Sequence, residues 1–595
     1  MKNSKTIFLF RVAILFYLNV YFRNIFLIVI SLIILFLLDK KESLILAILL
    51  LISIIKLPNL IPIGYVSDVN SKYATVNSFI YKTVLYDDIA EVGDFVYISD
   101  SSINEDFDNY SSYYLFKADK GKVLLSNTPF KLSLKHLHDF DDDTKKLLKK
   151  TVFNDYVSDN DLLVSVGYGF GLYFLLKKIF DKNKYLSLFL IILYSLFFDF
   201  EFKLLFIIID FVLSYFDFDS INNLSIKTIF ITQINYRLLT TSSVLLTLLF
   251  SFIYLSEYKN CRFILAIIQS LFFGQVNIFV SLFYSLYLNI RIFIFIVSLL
   301  CFVLPFSSPL YLLIMKIIGF VLDILLISIR GKISLLSSLI LIILYICGIR
   351  KDYQLYICLL LCLFCINNPF KHVTFIDVGQ GDAALLSNYN YKVLVDTGSS
   401  YNYHKLRKAL YSQGVYTIDY LLISHSDEDH NGNIDNLKND FKIKNIVTTS
   451  SDISYKDLYL KNYYLGTFDN ENDGSLIYKT EINGLSFLFT GDISKNIERL
   501  LINTYDVGEI DILKISHHGS VTGTAEYFIG KTLPKYAIIS TNGKYNHPHQ
   551  DTLDTLNAYL VDYLITKQEG DITFNLSFIK FIKTNNKLIL LNKLN

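Results

Sequence analysis

The sequence has no tryptophan at all. Its 15% aromatic share comes from 43 Tyr and 49 Phe, a skew that nucleotide bias in the gene explains as well as function does, so aromatic content is no signal of base stacking. Neither sign of charge is in excess, because 55 Lys and Arg face 54 Asp and Glu for a formal net charge of +1. A chain so balanced offers no overall field to steer a polyanion, and any nucleic-acid contact has to be local. Cysteine is sparse as well. All six (Cys261, Cys301, Cys347, Cys358, Cys362 and Cys365) fall in strongly apolar stretches, so neither a disulfide framework nor a thiolate metal site is implied. Cys358, Cys362 and Cys365 share one helical face and read as packing. No small-residue cleavage site follows the first apolar run, so the N-terminal segment reads as a retained anchor and not a signal peptide.

What is abundant is apolar sequence: 53% hydrophobic residues and a mean hydropathy of +0.42 mark a membrane protein, at least in part. Residues 1–61 hold two spans, Ile25 to Leu38 and Leu44 to Ile61, with a shorter apolar run before them. Residues 62–160 turn polar, and short alternating pieces such as DFVYIS predict a small β domain. Apolar runs return over residues 161–366, where roughly seven to nine spans fit. From Lys371 to Asn595 the chain is soluble again, and runs such as YKVLVDTG, YLLISH and LSFLFTGD predict an α/β sandwich with chemistry at its strand ends. Basic clusters at Lys40 and Lys41, Lys177 to Lys184, and Arg350 with Lys351, if all cytoplasmic, place both soluble regions outside the cell membrane.

The densest chemistry lies in SHSDEDH, Ser424 to His430, directly after the apolar YLLI. His425, Asp427, Asp429 and His430 crowd imidazoles and carboxylates onto one short turn, as a metal site does; a solvated acidic loop is the alternative. Other strand ends add Asp396 in LVDTG, Asp492 in FLFTGD, His517 and His518 in ISHHGS, and His547 and His549 in YNHPH. Six of the ten histidines gather in these clusters, which scattered core histidines would not do.

Asp396, the HxxxDH pattern, Asp492 and the late histidines resemble the metallo-β-lactamase fold. FIDVGQGDA (Phe375 to Ala383) with HSDEDH, TGD, HHGS and HPH is similar to the branch found in ComEC competence proteins. The resemblance implies a polytopic α-helical membrane protein with a small OB-like β domain and a C-terminal αββα hydrolase domain. Its expected role is DNA uptake: an outward metal-dependent nuclease degrades one strand while the helices pass the other as single-stranded DNA. Partners implied are single-stranded DNA, membrane lipid, other uptake components and a second copy of the chain. A membrane-anchored phosphodiesterase without transport is the alternative. One departure bears on transport. Where the family shows Ser-Gly-Leu-His, this chain reads VSVGYGFG (Val164 to Gly171) and lacks the histidine.

The same resemblance implies two divalent ions. Asp429, His430, Asp492 and His518 are expected to hold one, with Asp492 shared toward a second held by His425 and Asp427. Asp427 stands where the wider fold family has a histidine, and no histidine occurs between His430 and Asp492. Oxygen-rich donors suit Mn or Mg better than Zn, while His425, His430 and His518 keep Zn open; Mn is the favoured ion. His517, His547 and His549 are expected to orient phosphate or protonate the leaving oxygen, and Asp396 to orient His425 or another ligand. Gly379 and Gly381 read as a tight turn, His372 and His404 as surface or packing residues, and Lys514 as facing solvent.

Overall fold

The computed structural model describes residues 63–69, 74–77, 82–86, 90–103, 114–153, 168–198, 203–215, 352–365 and 371–591 (except 578 and 579), together with most of 266–333 and Leu341. The spans expected in residues 1–61, and those over 216–265, lie outside the described residues. So do the basic pairs at Lys40 and Arg350 and the first four residues of VSVGYGFG. The described residues form two compact units, the second made of Ala266–Ile278 and everything from Ser328 onward.

The first unit contains a closed barrel of five strands, β1 (Ile63–Val69), β2 (Ala74–Asn77), β3 (Lys82–Leu85), β4 (Phe95–Ile103) and β5 (Tyr114–Leu125), in the order β1-β2-β3-β5-β4. Only β3 and β5 run parallel; the ring closes where β4 pairs antiparallel with β1. Period-two alternation builds its core. Val96 and Ile98 point in while Tyr97 points out, and Val66, Val76, Leu85 and Ala118 complete the interior. Two helices follow, each with its start fixed by a side chain: Thr128 accepts from Lys131 N ahead of Pro129–His136, and Asp141 from Thr144 N ahead of Asp142–Thr151. Beyond them lie apolar helices, among them Lys184–Phe197 and Tyr284–Val303. Among the described residues one stretch, Pro305–Leu322, is long and apolar enough to cross a membrane, with a mean hydropathy of 1.7.

The second unit is a two-sheet sandwich. One sheet runs in the order β12 (Lys442–Val447), β11 (Thr417–Leu422), β10 (Lys392–Val395), β9 (Ala384–Ser387), β8 (His372–Phe375), β20 (Ile572–Leu576), β21 (Lys580–Lys583), β22 (Leu588–Leu590). The other runs in the order β13 (Ile453–Tyr455), β14 (Leu458–Asn462), β15 (Tyr478–Ile482), β16 (Leu485–Phe489), β17 (Ile512–Lys514), β18 (Tyr536–Ile539), β19 (Asp562–Ile565). The site uses β10, β11, β16, β17 and β18. Most of their residues are buried on both faces, so stretches such as VLV in β10 and LL at the end of β11 run consecutively apolar and do not alternate. In β10, Val393 and Val395 enter the core between the sheets while Leu394 packs outward beneath the helix Tyr403–Ser412. In β16, Phe487 and Phe489 face inward and Leu488 packs toward the helix Lys495–Thr504. Because β10 and β11 run parallel, as do β16, β17 and β18, successive strands end on the same edge. That edge is where open α/β sheets place their ligands.

A short ribbon of β6 (Gln275–Asn277) and β7 (Ser328–Arg330) belongs to this unit. Arg330 anchors it, donating to the carbonyls of Val415 at 2.7 Å and Asp440 at 3.0 Å with its guanidinium over the Tyr411 ring. Residues read as part of the helical region thus pack with the sandwich.

Candidate metal centre

Five strand ends deliver the site. After β10 the chain turns sharply at Asp396, whose φ of 56° lies in the left-handed region. Its carboxylate accepts from Ser424 N at 2.7 Å and Ser424 Oγ at 2.9 Å, and Oδ2 lies 3.0 Å from His430 Nδ1. Asp396 therefore orients His430 and ties two adjacent strand ends together. After β11 come His425 and His430, their rings 4.1 Å apart. After β16 comes Asp492, and after β17 the turn with His517 and His518, both at positive φ. His518 Nδ1 donates to Ser540 O beyond β18 at 2.9 Å, which fixes the ring with Nε2 facing the cluster.

The facing atoms are close but unpaired. His430 Nε2 lies 3.3 Å from Asp492 Oδ1, and His518 Nε2 lies 3.2 Å from Asp429 Oδ2 and 3.4 Å from Asp492 Oδ2. Yet His425 Nε2, His430 Nε2, His518 Nε2 and Asp492 Oδ1 are buried without a hydrogen-bond partner. Leaving four such atoms unsatisfied costs on the order of 1–3 kcal/mol each. Their grouping as His425–His430–Asp492 and Asp429–His430–His518, each with donor atoms within 4.8 Å of one another, is what a divalent cation requires. The residues fit a metal.

Electrostatics point the same way. Burial opposes charge on His430 and His518, but Asp492 with Asp396, and Asp492 with Asp382, outweigh it; His430 is held well above the ordinary range and His518 rises to about 10. Burial would likewise raise Asp492, yet His518 and His430 hold it well below. The cluster is a pocket of buried negative charge that draws protons in place of another cation.

The remaining expected residues take different places. Asp427 is half-exposed, 3.5 Å from His425 Nε2, and belongs to none of the converging groups. His517 is partly exposed, its Nε2 3.9 Å from Asp492 Oδ2 and its Nδ1 bonded to Thr522. His547 stacks 6.4 Å from His518; burial and the neighbouring imidazoles push it down to about 4, so it is neutral near pH 7 and suited to orienting a substrate. His549 lies beyond it, 5.4 Å ring to ring. His372 is buried and bonded to Gln413, a packing role. Gly379 and Gly381 do form a turn at positive φ, and at Gly381 a Cβ would sit 2.3 Å from Asp429 O, so the glycine lets the turn press against the ligand loop.

Two residues escaped the sequence reading. Lys514 does not face solvent. It is 4% exposed, with Nζ 2.5 Å from Asp382 Oδ2 and 2.8 Å from Ile515 O, because a strand buried on both faces has no solvent side. Asp382 follows Gly379 and Gly381 in the FIDVGQGDA stretch. Its Oδ1 is 3.4 Å from His518 Nδ1. Burial would raise its carboxyl, but Lys514 and His518 hold it well below the usual range.

Residues 376–478 match the family model described as "Metallo-beta-lactamase superfamily". Over those residues the C-terminal sandwich is similar to the metallo-beta-lactamase superfamily. The chain is also similar to competence proteins: ComE operon protein 3 of Bacillus subtilis (30% identity over 252 residues, 34% of this chain and 32% of that protein) and Competence protein ComA of Neisseria gonorrhoeae (26% over 226 residues, 34% and 32%). Recombination protein 2 of Haemophilus influenzae is 26% identical over 235 residues, 35% of this chain and 29% of that protein. The matches span about a third of each relative's length. For the C-terminal sandwich, the superfamily implies a divalent-metal hydrolase, in keeping with the unsatisfied donors at its strand ends.

Proposed function

We propose that the chain is a DNA-uptake protein of the cytoplasmic membrane whose outward C-terminal domain hydrolyses phosphodiesters while its helices pass a single strand. The observation that carries the hydrolytic half is the convergence of buried, unpaired donors from His425, His430, Asp492 and His518 at one sheet edge. The competence names of its relatives favour DNA over other phosphodiesters. The closed barrel has five strands, as OB-type folds do, which supports a role in holding single strands.

Within this reading, Asp429, His430, Asp492 and His518 would hold one divalent ion, and His425 would hold a second beside Asp492, with Asp427 joining it only by turning in from its half-exposed position. The oxygen-rich set favours Mn, with Zn or Mg as alternatives. When bound, the metal supplies a lowered water pKa and neutralises charge on phosphodiester oxygens. The chain's own groups do the rest. Asp396 holds the His430 ring, Ser540 O holds that of His518, and His517, His547 and His549 orient the phosphate from the more open side. The test is the purified full chain assayed for metal content and for cleavage of end-labelled duplex DNA with Mn, Mg or Zn, beside Asp429→Ala and His430→Ala. Loss of both metal and cleavage is expected; unchanged metal content in both variants would refute the ligand assignment.

A further inference from the structure

Beside the barrel lies a second cluster of titratable groups, remote in sequence from the hydrolytic centre and unused by it. The helices Pro129–His136 and Asp142–Thr151 and the loop before β4 enclose a cleft of about 320 Å³. Lys131, Lys135, His138, Lys145 and Lys149 line it, over apolar groups from Val92, Leu134 and Leu137.

The cations there are unequal. Lys131 is neutralised, 2.7 Å from Glu91 Oε2 and 2.9 Å from Asp94 Oδ1, and so fastens its helix to the barrel. Of the nearby acids, Asp139 pairs with His136 and Asp141 caps the second helix, while Asp142 and Asp143 lie exposed in that helix's first turn. Among the described residues no carboxylate lies within ion-pair distance of Lys135, Lys145 or Lys149. Lys145 Nζ instead donates to His138 Nδ1 at 3.2 Å, one basic side chain against another. Lys145 and Lys149, one helical turn apart, repel each other. Scattered surface lysines turn outward into water; these converge from two helices on one partly apolar cleft, where the low-polarity floor strengthens their field. A phosphate would relieve the repulsion, and a sugar or base would cover the floor.

We propose that this cleft binds phosphate groups of a single DNA strand, as a site distinct from the hydrolytic centre; the assignment of the strand rests on the DNA-uptake reading above. The experiment uses the full chain in nanodiscs of neutral lipid, with chelator to block hydrolysis, and measures binding of a labelled oligothymidylate across a salt series. The probe is compared for wild type, a Lys135→Gln/Lys145→Gln/Lys149→Gln variant, and the same three positions changed to Arg. The Gln variant is expected to bind at least about tenfold more weakly at low salt, with a log–log salt slope shallower by roughly two, since each single-strand phosphate contact contributes about 0.7. The Arg variant keeps both affinity and slope, which separates charge from folding. Equal affinity and slope in wild type and the Gln variant would overturn the proposal, as would absence of strand binding by wild type. A loss seen only with vesicles containing anionic lipid would overturn it in favour of a headgroup site. If wild type binds the strand through these lysines yet never cleaves DNA with any metal, the cleft stands and the nuclease reading falls. If it cleaves while the Gln variant binds like wild type, the reverse holds.

Discussion

Asp396 contributes by positioning: one carboxylate receives the backbone and hydroxyl of Ser424 and the ring of His430. Asp396→Asn keeps the shape but can no longer fix the same imidazole tautomer. We expect metal affinity to fall about 10–100-fold, measured by competition with a chromophoric chelator; an unchanged affinity would show that His430 is held by packing alone. Lys514→Met leaves Asp382 buried without its cation and should destabilise the domain by about 3–5 kcal/mol. A midpoint shift below about 1 kcal/mol in denaturant would mean that the pair is solvated. The raised imidazoles add a pH dependence. His518, at about 10 without metal, must lose its proton to bind one, so affinity should increase as pH rises through the neutral range and each binding event should release protons. Calorimetry in buffers of different ionisation enthalpy detects that release; its absence would contradict the buried negative charge described here.

At the level of elements, the helix Lys495–Thr504 secures the histidine loop. Glu498, fully buried, accepts from Ser516 Oγ at 2.8 Å, Thr524 N at 2.9 Å and Ala525 N at 2.6 Å, so one side chain clamps both ends of the segment that carries His517 and His518. Burial raises its carboxyl to about 7 despite those donors. A folded-state value above the unfolded one means that the folded domain binds the extra proton. The associated stability is complete below about pH 4.5 and is lost as pH rises through 7. Glu498→Gln should flatten that decline, which amounts to about 3 kcal/mol at most, in thermal unfolding followed by circular dichroism between pH 5 and 8. Identical pH profiles for variant and wild type would count against a protonated Glu498. The strands around it were legible from their apolar runs, but the clamp was not. It joins residues 18 to 27 positions apart through donors that no local pattern marks.

For the whole molecule, ligand linkage governs the sandwich. A cation bound only by the folded domain adds about 2.7 kcal/mol at 100 times its dissociation constant. Chelation should therefore lower the unfolding midpoint of the metal-loaded chain, and restoring the metal should recover it. An unaltered midpoint would mean that the unpaired donors are tolerated without a cation.

The sequence by itself determined the order of apolar and polar regions, the β-rich C-terminal sandwich, and the strand-end clusters at Asp396, His425 to His430, Asp492 and His518. Runs of apolar residues that end in acids and histidines carry that information locally. Tertiary structure alone decided which atoms meet. Lys514 turned inward because both faces of β17 are covered, and Asp382 joined His518 because the glycine turn lets its loop press against Asp429. Asp427 stayed half-exposed beside the cluster although it sits in the densest motif. Spacing along a chain fixes which residues are available at a strand end. Their orientation is set by burial and by partners tens to hundreds of positions away, such as the 132 positions that separate Asp382 from Lys514 (514 − 382).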